Sequence, residues 1–330
     1  ILCYTFMGGF MAVCVTDFVQ GTLMLIGLLV VPLVAYFLLP GNLTDLITQS
    51  GVTGGASAYL SPFMNGDRPY TFIEIFSQLA WGFGYCGMPH VLVRFMAVRS
   101  DKELKKSWVI AIIWDLLSLT AAFAIAVIGR AYLLPTILGE NGAASSESVF
   151  IEMIRKVFTS QLALPFIGGL FLCGILAAIM STADSQLLVT ASAVSEDLYH
   201  NFIKKDADSK EILRVSRITV IVIAIIAFAI AWDPNSSIMG LVSNAWAGLG
   251  AAFGPIVVMS LFWRRTNKQG AFAGMVCGGV MVFVWKYLVK PMGGVWGIYE
   301  LLPAFILGCI AIVVVSLATK APSEEILKEF

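Results

Sequence analysis

Long apolar runs, separated by short polar breaks, are the feature of this sequence that most limits what it can fold into. Several runs exceed the about 20 residues that an α-helix needs to cross a bilayer. With 58% hydrophobic and 13% charged residues, the chain differs from a soluble domain, in which about a quarter of the residues are charged. The sequence therefore predicts an all-α polytopic membrane protein.

Hydropathy along the chain predicts about eight full spans and a partial one. The partial span ends near Gly8-Gly9. The full spans are predicted at 15–38, 70–97, 107–133, 160–195, 212–231, 238–263, 270–289 and 299–319. Because the chain opens at Ile1 in an apolar stretch, without the charged region of a signal peptide, we expect a fragment that begins inside a helix.

Basic residues cluster in alternate connections and predict the orientation of the spans. They lie at or beyond the C-terminal ends of the runs 70–97, 160–195 and 238–263, up to the start of the next run, namely at Arg94, Arg99, Lys102, Lys105, Lys106, Lys204, Lys205, Lys210, Arg214, Arg217, Arg264, Arg265 and Lys268. Loops rich in Lys and Arg stay in the cytoplasm, so we expect these loops and the C-terminal tail there. The segments 39–69 and 134–158 and the turn 232–237 carry few basic residues and are expected outside.

Composition and motifs also disfavour several functional classes. A formal net charge of zero gives no support for a nucleic-acid-binding face. The six cysteines lie in or beside apolar runs without CxxC spacing, which argues against a metal centre or a disulfide framework. We find no His/Glu metal pattern, nucleophile elbow or pair of catalytic carboxylates. An enzyme is therefore not expected.

The stretch AAIMSTADSQLL, residues 177–188, places several polar residues near the middle of the run 160–195. At helical spacing, Ala178, Ser181, Thr182 and Ser185 share one arc. Two hydroxyls and the carbonyl of Ala178 are hard, neutral oxygens that suit an alkali cation. The alternative is that the hydroxyls hydrogen-bond across a helix contact.

Two further polar residues follow in the same stretch. Asp184 weakens the packing alternative, because helix contacts do not need a carboxylate, but its spacing points it off the hydroxyl arc. We therefore assign Asp184 and its neighbour Gln186 supporting roles rather than direct cation contacts.

The second unusual stretch is WGFGYCGMPH, residues 81–90, inside the run 70–97. Three glycines and a proline within nine residues predict a break in the helix at membrane depth. In secondary transporters, broken helices expose backbone groups to substrates and ions. Trp81, Tyr85 and Pro89 recur every four residues and predict one stripe on the helix. The stripe fits either a pocket wall or ordinary helix packing.

Asp17 opens the span 15–38 and has two interpretations. One is a carboxylate at a helix N-terminus, where the helix dipole favours it. The other is a temporary site for a cation that leaves toward the cytoplasm. The sequence pattern alone does not choose between them.

Four long motifs, in this order along the chain, resemble the sodium/solute symporter family, and most of all its bacterial sodium/proline branch. They are GGFMAVCVTDFVQGTLM, WGFGYCGMPHVLVRFMA, ILAAIMSTADSQLLVTASAVSEDLY and GLVSNAWAGLGAAFGPIVV. The resemblance implies the five-plus-five inverted-repeat fold of the leucine transporter type, here without its first spans. It assigns residues 1–69 to the end of the first repeat and an outer loop, 70–263 to the second repeat, and 264–330 to peripheral helices and the tail.

The resemblance also implies roles for particular residues. It places a sodium site at Ala178, Ser181 and Thr182, with further oxygens from a helix absent from this chain. It places solute contacts at Trp81, Tyr85 and Pro89, and it links Asp17 to the affinity for sodium and its release. The stretch 244–246 resembles a helix that supplies an outer gate and solute contacts, without a role for Asn244 itself.

The function implied is symport of sodium and L-proline into the cell by alternating access. Sodium is the only cofactor expected, as a co-transported ion, and the predicted location is the plasma membrane, with many spans. Another solute, such as pantothenate, a betaine or a sugar, is the main alternative within transport. A transporter-like sensor domain is the alternative outside it.

Overall fold

A computed structural model describes residues 2–133, 147–232 and 237–329, with the side chains of 13–133, 147–232, 237–324, 326 and 327. Parts of two segments that were predicted to lie outside, residues 134–146 and 233–236, are not among the described residues.

The described chain is almost entirely helical. Its first elements are α1 (Leu2–Phe37), α2 (Leu43–Gln49), α3 (Gly55–Tyr59), an antiparallel pair of two-residue strands, β1 (Met64–Asn65) and β2 (Arg68–Pro69), then α4 (Phe72–Leu79), α5 (Trp81–Gly84), α6 (Pro89–Met96) and α7 (Asp101–Tyr132). There follow α8 (Val149–Ile154), α9 (Pro165–Ser192), α10 (Ser209–Ile230), α11 (Ile238–Phe262), α12 (Lys268–Val284), α13 (Leu301–Ala318) and α14 (Glu324–Glu329).

Three helices continue with wider turns, in which hydrogen bonds join residues five apart. These π-helical extensions cover Arg155–Gln161 after α8, Ala193–Ile203 after α9 and Trp285–Val289 after α12. Short 3₁₀ turns occur at Tyr85–Gly87, Lys290–Met292 and Gly294–Gly297.

Seven helices of the described residues are long and apolar enough to cross a membrane. The prediction of about eight full spans and a partial one differs in two places. The partial span and the span 15–38 are one continuous helix, α1, because glycine pairs are tolerated inside membrane helices. The run 70–97 is divided among α4, α5 and α6, none of which is long enough to span alone.

The helix ends explain why three predicted spans, 107–133, 212–231 and 270–289, start a few residues after the observed helices do. N-cap side chains accept hydrogen bonds from first-turn N–H groups, at Asn42, Thr71, Ser100, Asp208, Ser237 and Asn267. Ser100, for example, starts α7 at Asp101, within a charged flank that hydropathy leaves out of the predicted span 107–133. Hydropathy detects the apolar part of a helix, whereas the cap determines where it begins.

Contacts divide the chain into two compact units. The first unit comprises Ile1–Pro69 and Val98–Asn235, and the second comprises Tyr70–Ala97 and Ser236–Phe330. These units are defined by tertiary contacts. The predicted boundaries at residues 69 and 263 are instead defined by sequence repeats, and that division stays a prediction.

The core of the first unit lies where α1, α7, α8 and α9 meet. Val31, Met153 and Val157 are fully buried there, and the rings of Phe158 and Phe171 lie 5.0 Å apart. Apolar side chains from four helices thus fix α9 against α1.

Small residues let the helices of the second unit pack at backbone distance. A Cβ added at Gly274 would lie 2.3 Å from Cγ1 of Ile312 on α13. One added at Gly278 would lie 2.0 Å from the carbonyl oxygen of Ala251 on α11. Glycine at these positions is what allows α12 to contact both neighbours, as is common between membrane helices.

Candidate functional site

The predicted cation residues lie on α9, near the middle of its 39-residue span Pro165–Ile203. The hydroxyl of Ser181 donates to the carbonyl oxygen of Ala178 at 3.2 Å, and that of Thr182 donates to the same oxygen at 3.3 Å. The three predicted ligand oxygens therefore converge on one turn of the helix. Ser181 is half-buried and Thr182 is exposed.

Ser185 extends this polar arc to a second helix. Its hydroxyl lies 3.0 Å from the carbonyl oxygen of Ser181 and 3.5 Å from Oδ2 of Asp17 on α1. Sequence reasoning placed Ser185 on the arc but gave it no role in the site. Its position four residues after Ser181 indicated that it shares the arc. No sequence pattern indicated its contact with Asp17, which is 168 positions away.

Two glycines lie where α1 and α9 pack together. A Cβ added at Gly27 would lie 3.3 Å from the ring of Phe171, and one at Gly174 would lie at an ordinary contact distance, 3.6 Å, from the carbonyl oxygen of Leu23. The carboxylate of Asp17, on the same helix as Gly27, reaches α9 at Ser185. Asp17 lies well inside α1, so its interpretation as an N-terminal helix carboxylate is wrong: that reading depended on a helix starting near residue 15.

The two residues predicted to support the site differ in environment. The side chain of Asp184 is fully buried, whereas that of Gln186 is exposed. The carbonyl oxygen of Gln186 accepts the hydroxyl of Thr190 at 2.7 Å, which is the ordinary bond of a threonine to the preceding turn. Their supporting roles stay predictions.

The predicted break in the second unusual stretch is confirmed. After α5 the chain makes a 3₁₀ turn, Tyr85–Gly87, and Met88 is extended, with φ −84° and ψ 109°. Pro89 is the first residue of α6. Proline disfavours helical backbone at the residue before it and has no N–H to donate, so it fixes the break at this point.

The break changes the predicted stripe of Trp81, Tyr85 and Pro89. A four-residue spacing aligns side chains only on a continuous α-helix, and here the 3₁₀ turn and extended Met88 interrupt it. The prediction of one stripe through all three residues is therefore wrong. Trp81 and Tyr85 still share a partner, because both rings contact Trp246 on α11, with centroids 5.8 and 4.7 Å away.

Trp246 also binds the backbone of the broken segment. Its indole Nε1 donates to the carbonyl oxygen of Trp81 at 3.0 Å. A Cβ at Gly84 would lie 2.0 Å from this nitrogen, so glycine provides the space that the indole occupies. The glycines of this stretch therefore have two effects: they favour the break in the helix, and Gly84 leaves space for the Trp246 indole.

Sequence reasoning missed Tyr299, which lies in the turn before α13. Its ring stacks on Trp81, with a centroid distance of 5.7 Å and an interplanar angle of 16°. No sequence pattern relates a tyrosine to a tryptophan so far away along the chain. Asn244 has a partner as well, since its Oδ1 accepts a hydrogen bond from the ammonium of Lys286 on the π-helical turn after α12.

The structure therefore brings the predicted residues together in two sets. Ala178, Ser181, Thr182 and Asp17 belong to the first unit, and Trp81, Tyr85 and Pro89 belong to the second. The first set offers oxygen atoms, and the second offers aromatic faces beside an interrupted backbone.

Comparisons with known proteins show which family the chain belongs to. The family model described as "Sodium:solute symporter family" matches residues 1–278. The osmoregulated proline transporter OpuE of Bacillus subtilis is 41% identical over 324 residues, covering 98% of this chain and 62% of the relative. A sodium/proline symporter of Escherichia coli is 41% identical over 331 residues, covering 99% and 62%. The chain thus spans about 62% of the length of the relatives it matches.

A solved structure shows the fold. The substrate-bound, outward-open structure of a Na⁺-coupled sialic acid symporter matches with a TM-score of 0.70 and 17% identity, over 98% of this chain and 65% of that one. The match shows a fold of the leucine transporter type, as predicted from the motifs. With its seven candidate spans, this is the fold of a multi-pass membrane protein. On its match to the family model over residues 1–278, the chain belongs to the sodium:solute symporter family.

Proposed function

We propose that the protein of which this sequence is a part, or the whole, imports L-proline together with sodium by alternating access. The observation that carries the proposal is the convergence of the Ser181 and Thr182 hydroxyls on the Ala178 carbonyl at 3.2 and 3.3 Å. The printed names of the relatives, which are proline transporters and sodium/proline symporters, support the choice of ion and solute.

The sodium site would use the carbonyl oxygen of Ala178 and the two hydroxyl oxygens. Both hydroxyls donate to this carbonyl oxygen in the structure. When sodium binds, the hydroxyls rotate so that lone pairs rather than protons face the ion. Neutral oxygens suit a transported sodium ion, because they bind it strongly enough for capture and weakly enough for release.

Asp17 would adjust the affinity of this site and assist release. Its carboxylate reaches α9 through the hydroxyl of Ser185, which also lies 3.0 Å from the Ser181 carbonyl. A negative charge beside the arc attracts a cation, and the attraction is strong because the dielectric constant inside a protein is low. Asp184 and Gln186 would hold the arc in place without touching the ion.

The solute would bind beside the broken segment of the second unit. Trp81 and Tyr85 supply apolar faces for the pyrrolidine ring, and the break at Pro89 leaves backbone groups for the carboxylate and the ammonium of proline. Interrupted helices serve this purpose in secondary transporters. Binding of the two partners is reciprocal, so proline should tighten sodium by the factor by which sodium tightens proline.

The orientation of the helices is part of the proposal. The basic connections that contain Lys204 and Lys205, and Arg264 and Arg265, would lie in the cytoplasm, with the C-terminal tail on the same side of the plasma membrane. The division into repeats at residues 69 and 263 is proposed with it.

Uptake of labelled proline by the complete protein in proteoliposomes tests the function. An inward sodium gradient should drive accumulation, and replacement of sodium by potassium should abolish it. Unlabelled proline should compete, whereas pantothenate, betaine, sugars and sialic acid should not. Competition by one of these solutes and not by proline would overturn the choice of solute, and uptake that does not depend on sodium would overturn the coupling.

A further inference from the structure

The turn before α13 fixes Tyr299 at both ends. Its side chain is only 8% exposed. Its backbone N–H donates to the hydroxyl of Ser77 on α4 at 3.0 Å, and its phenol donates to the carbonyl oxygen of Ser243 on α11 at 2.6 Å. With both ends hydrogen-bonded to different helices, the ring has one orientation.

This fixed ring is a platform for Trp81. The two rings are nearly parallel, at 16°, with centroids 5.7 Å apart. The indole of Trp81 also contacts Trp246, whose Nε1 binds the Trp81 carbonyl oxygen. Offset aromatic pairs are favourable beyond the area that they bury. Tyr299 and Trp246 together therefore restrict the side-chain rotation of Trp81, the residue that opens the broken segment.

An ion pair holds the turn that carries Tyr299. Glu300 is nearly buried, with 3% of its side chain exposed, and its Oε2 lies 2.8 Å from the ammonium of Lys290. The same ammonium lies 6.0 Å from the centroid of the Tyr299 ring. A buried carboxylate is strongly disfavoured without its partner, so this pair holds the turn before α13 against the 3₁₀ turn that starts at Lys290.

The phenol keeps its proton in this environment. Burial, and to a smaller extent the charge of Glu300, raises the pKa of Tyr299 above its ordinary value. The hydroxyl therefore remains a hydrogen-bond donor to Ser243 at physiological pH.

We infer that Tyr299 is a positioning residue for solute binding, which acts by holding the indole of Trp81. This inference rests on the proposed function, because it assigns the effect to the solute site. Its observed contacts are with Trp81, the hydroxyl of Ser77 and the backbone of α11. The turn before α13, which no motif marks, would thus contribute to the affinity for the solute.

A double-mutant cycle on the complete protein in proteoliposomes tests the inference. We expect Tyr299→Ala to raise the KM for proline by about 2- to 10-fold, the effect of losing one aromatic pair, with little change in kcat. Tyr299→Phe keeps the ring and should raise KM by less than about 3-fold. In the Trp81→Ala background, Tyr299→Ala should add nothing further, since the partner is already gone.

Two further measurements keep the result interpretable. Tyr287→Ala is the matched control, a tyrosine at the same end of α12 that is 63% exposed and whose ring contacts Lys286, and it should leave KM unchanged. Iodide quenching of the Trp81 emission, taken as the difference between parent and Trp81→Phe protein, should increase in Tyr299→Ala without any solute present.

The outcomes separate the inference from the function on which it rests. If sodium drives no proline uptake but Tyr299→Ala exposes Trp81 to iodide, the proposed function fails and the positioning contact stands. If uptake is normal and Tyr299→Ala changes neither KM nor quenching, the inference fails alone. Equal effects of Tyr299→Ala with and without Trp81 would also overturn it. Should Tyr299→Ala not fold, Tyr299→Leu, which also removes the ring, replaces it in the cycle, and Tyr299→Phe remains the variant that keeps the ring.

Discussion

The polar arc of α9 and the aromatic cluster around Trp81 place polar groups at membrane depth in opposite ways. On α9 the helix is intact, and Ser181 and Thr182 hydrogen-bond to the preceding turn of the same helix. Around Trp81 the helix itself is interrupted, and a carbonyl oxygen binds a tryptophan from α11. Polar side chains on a regular helix leave the packing unchanged, whereas an interrupted helix must be accommodated by its neighbours.

This difference has an energetic consequence. Function on α9 depends on which atoms are present, so a substitution there can remove chemistry and spare the fold. The structure around Trp81 depends on glycines that have no side chain, because the backbone of α11 and the indole of Trp246 pack directly against them. Added volume should therefore damage the second region more than lost polarity damages the first.

The largest effect is expected from Gly87→Ala. A Cβ there would lie 2.5 Å from the carbonyl oxygen of Leu249 and 2.8 Å from the backbone of Gly250 and Gly254. Backbone atoms cannot move aside as a side chain can, so overpacking should cost about 3 kcal/mol or more. Gly82→Ala is the matched control, with nothing within 4 Å of its added Cβ. Thermal unfolding of the purified proteins compares them; equal midpoints would contradict this account of the broken segment.

The next effect is expected from the double change Ser181→Ala and Thr182→Ala. Removing two cation ligands should raise the sodium concentration for half-maximal uptake by about 100-fold, while the thermal midpoint stays close to that of the parent. Thr190→Ala on the same helix removes an equivalent bond to the preceding turn, at 2.7 Å, and should leave sodium dependence unchanged. Undiminished sodium-driven uptake in the double variant would refute the cation site.

Asp17 and Ser185 should have intermediate effects. Asp17→Asn removes a charge that faces α9 and should weaken sodium activation by about 10-fold. Ser185→Ala removes only a 3.5 Å contact and should weaken it by about 3-fold or less. Sodium titrations of uptake measure both. A larger effect of Ser185→Ala than of Asp17→Asn would show that the hydroxyl acts directly and not through the carboxylate.

The smallest effect is expected at the turn between the extension of α9 and α10. Lys204 pairs with Glu211 at 2.7 Å, and this hydrogen bond raises the pKa of Lys204. A raised lysine pKa gives stability that is complete below the unfolded pKa of about 10.4 and is lost as the pH rises through the folded pKa.

Thermal midpoints at about pH 9 and pH 11 test this pair. The parent should lose slightly more stability between these values than Lys204→Met does. Lys205→Met, an exposed neighbour, should behave like the parent. An identical pH response of the parent and Lys204→Met would show that the pair does not contribute to stability.

The sequence predicted the local features of both regions well. The break follows from Pro89 and its glycines, and the hydroxyl arc follows from helical spacing, because both depend on residues within a few turns. Other features depend on tertiary contacts. The contacts of Ser185 with Asp17 and of Tyr299 with Trp81 join residues 168 and 218 positions apart, and no periodicity carries that information. The prediction that a span ends near Gly8-Gly9 was wrong, because α1 continues through this pair and glycine is common inside membrane helices.

The glycine-lined contact of α12 with α13 has a consequence for how the protein is made. Two successive helices that already match at backbone distance can associate as a hairpin once both have entered the bilayer. That hairpin carries the turn with Tyr299, whose ring is then oriented by hydrogen bonds to α4 and α11. Substitutions at Gly274 should therefore lower the amount of protein that reaches the membrane, while the molecules that assemble retain their ordinary affinity for the solute.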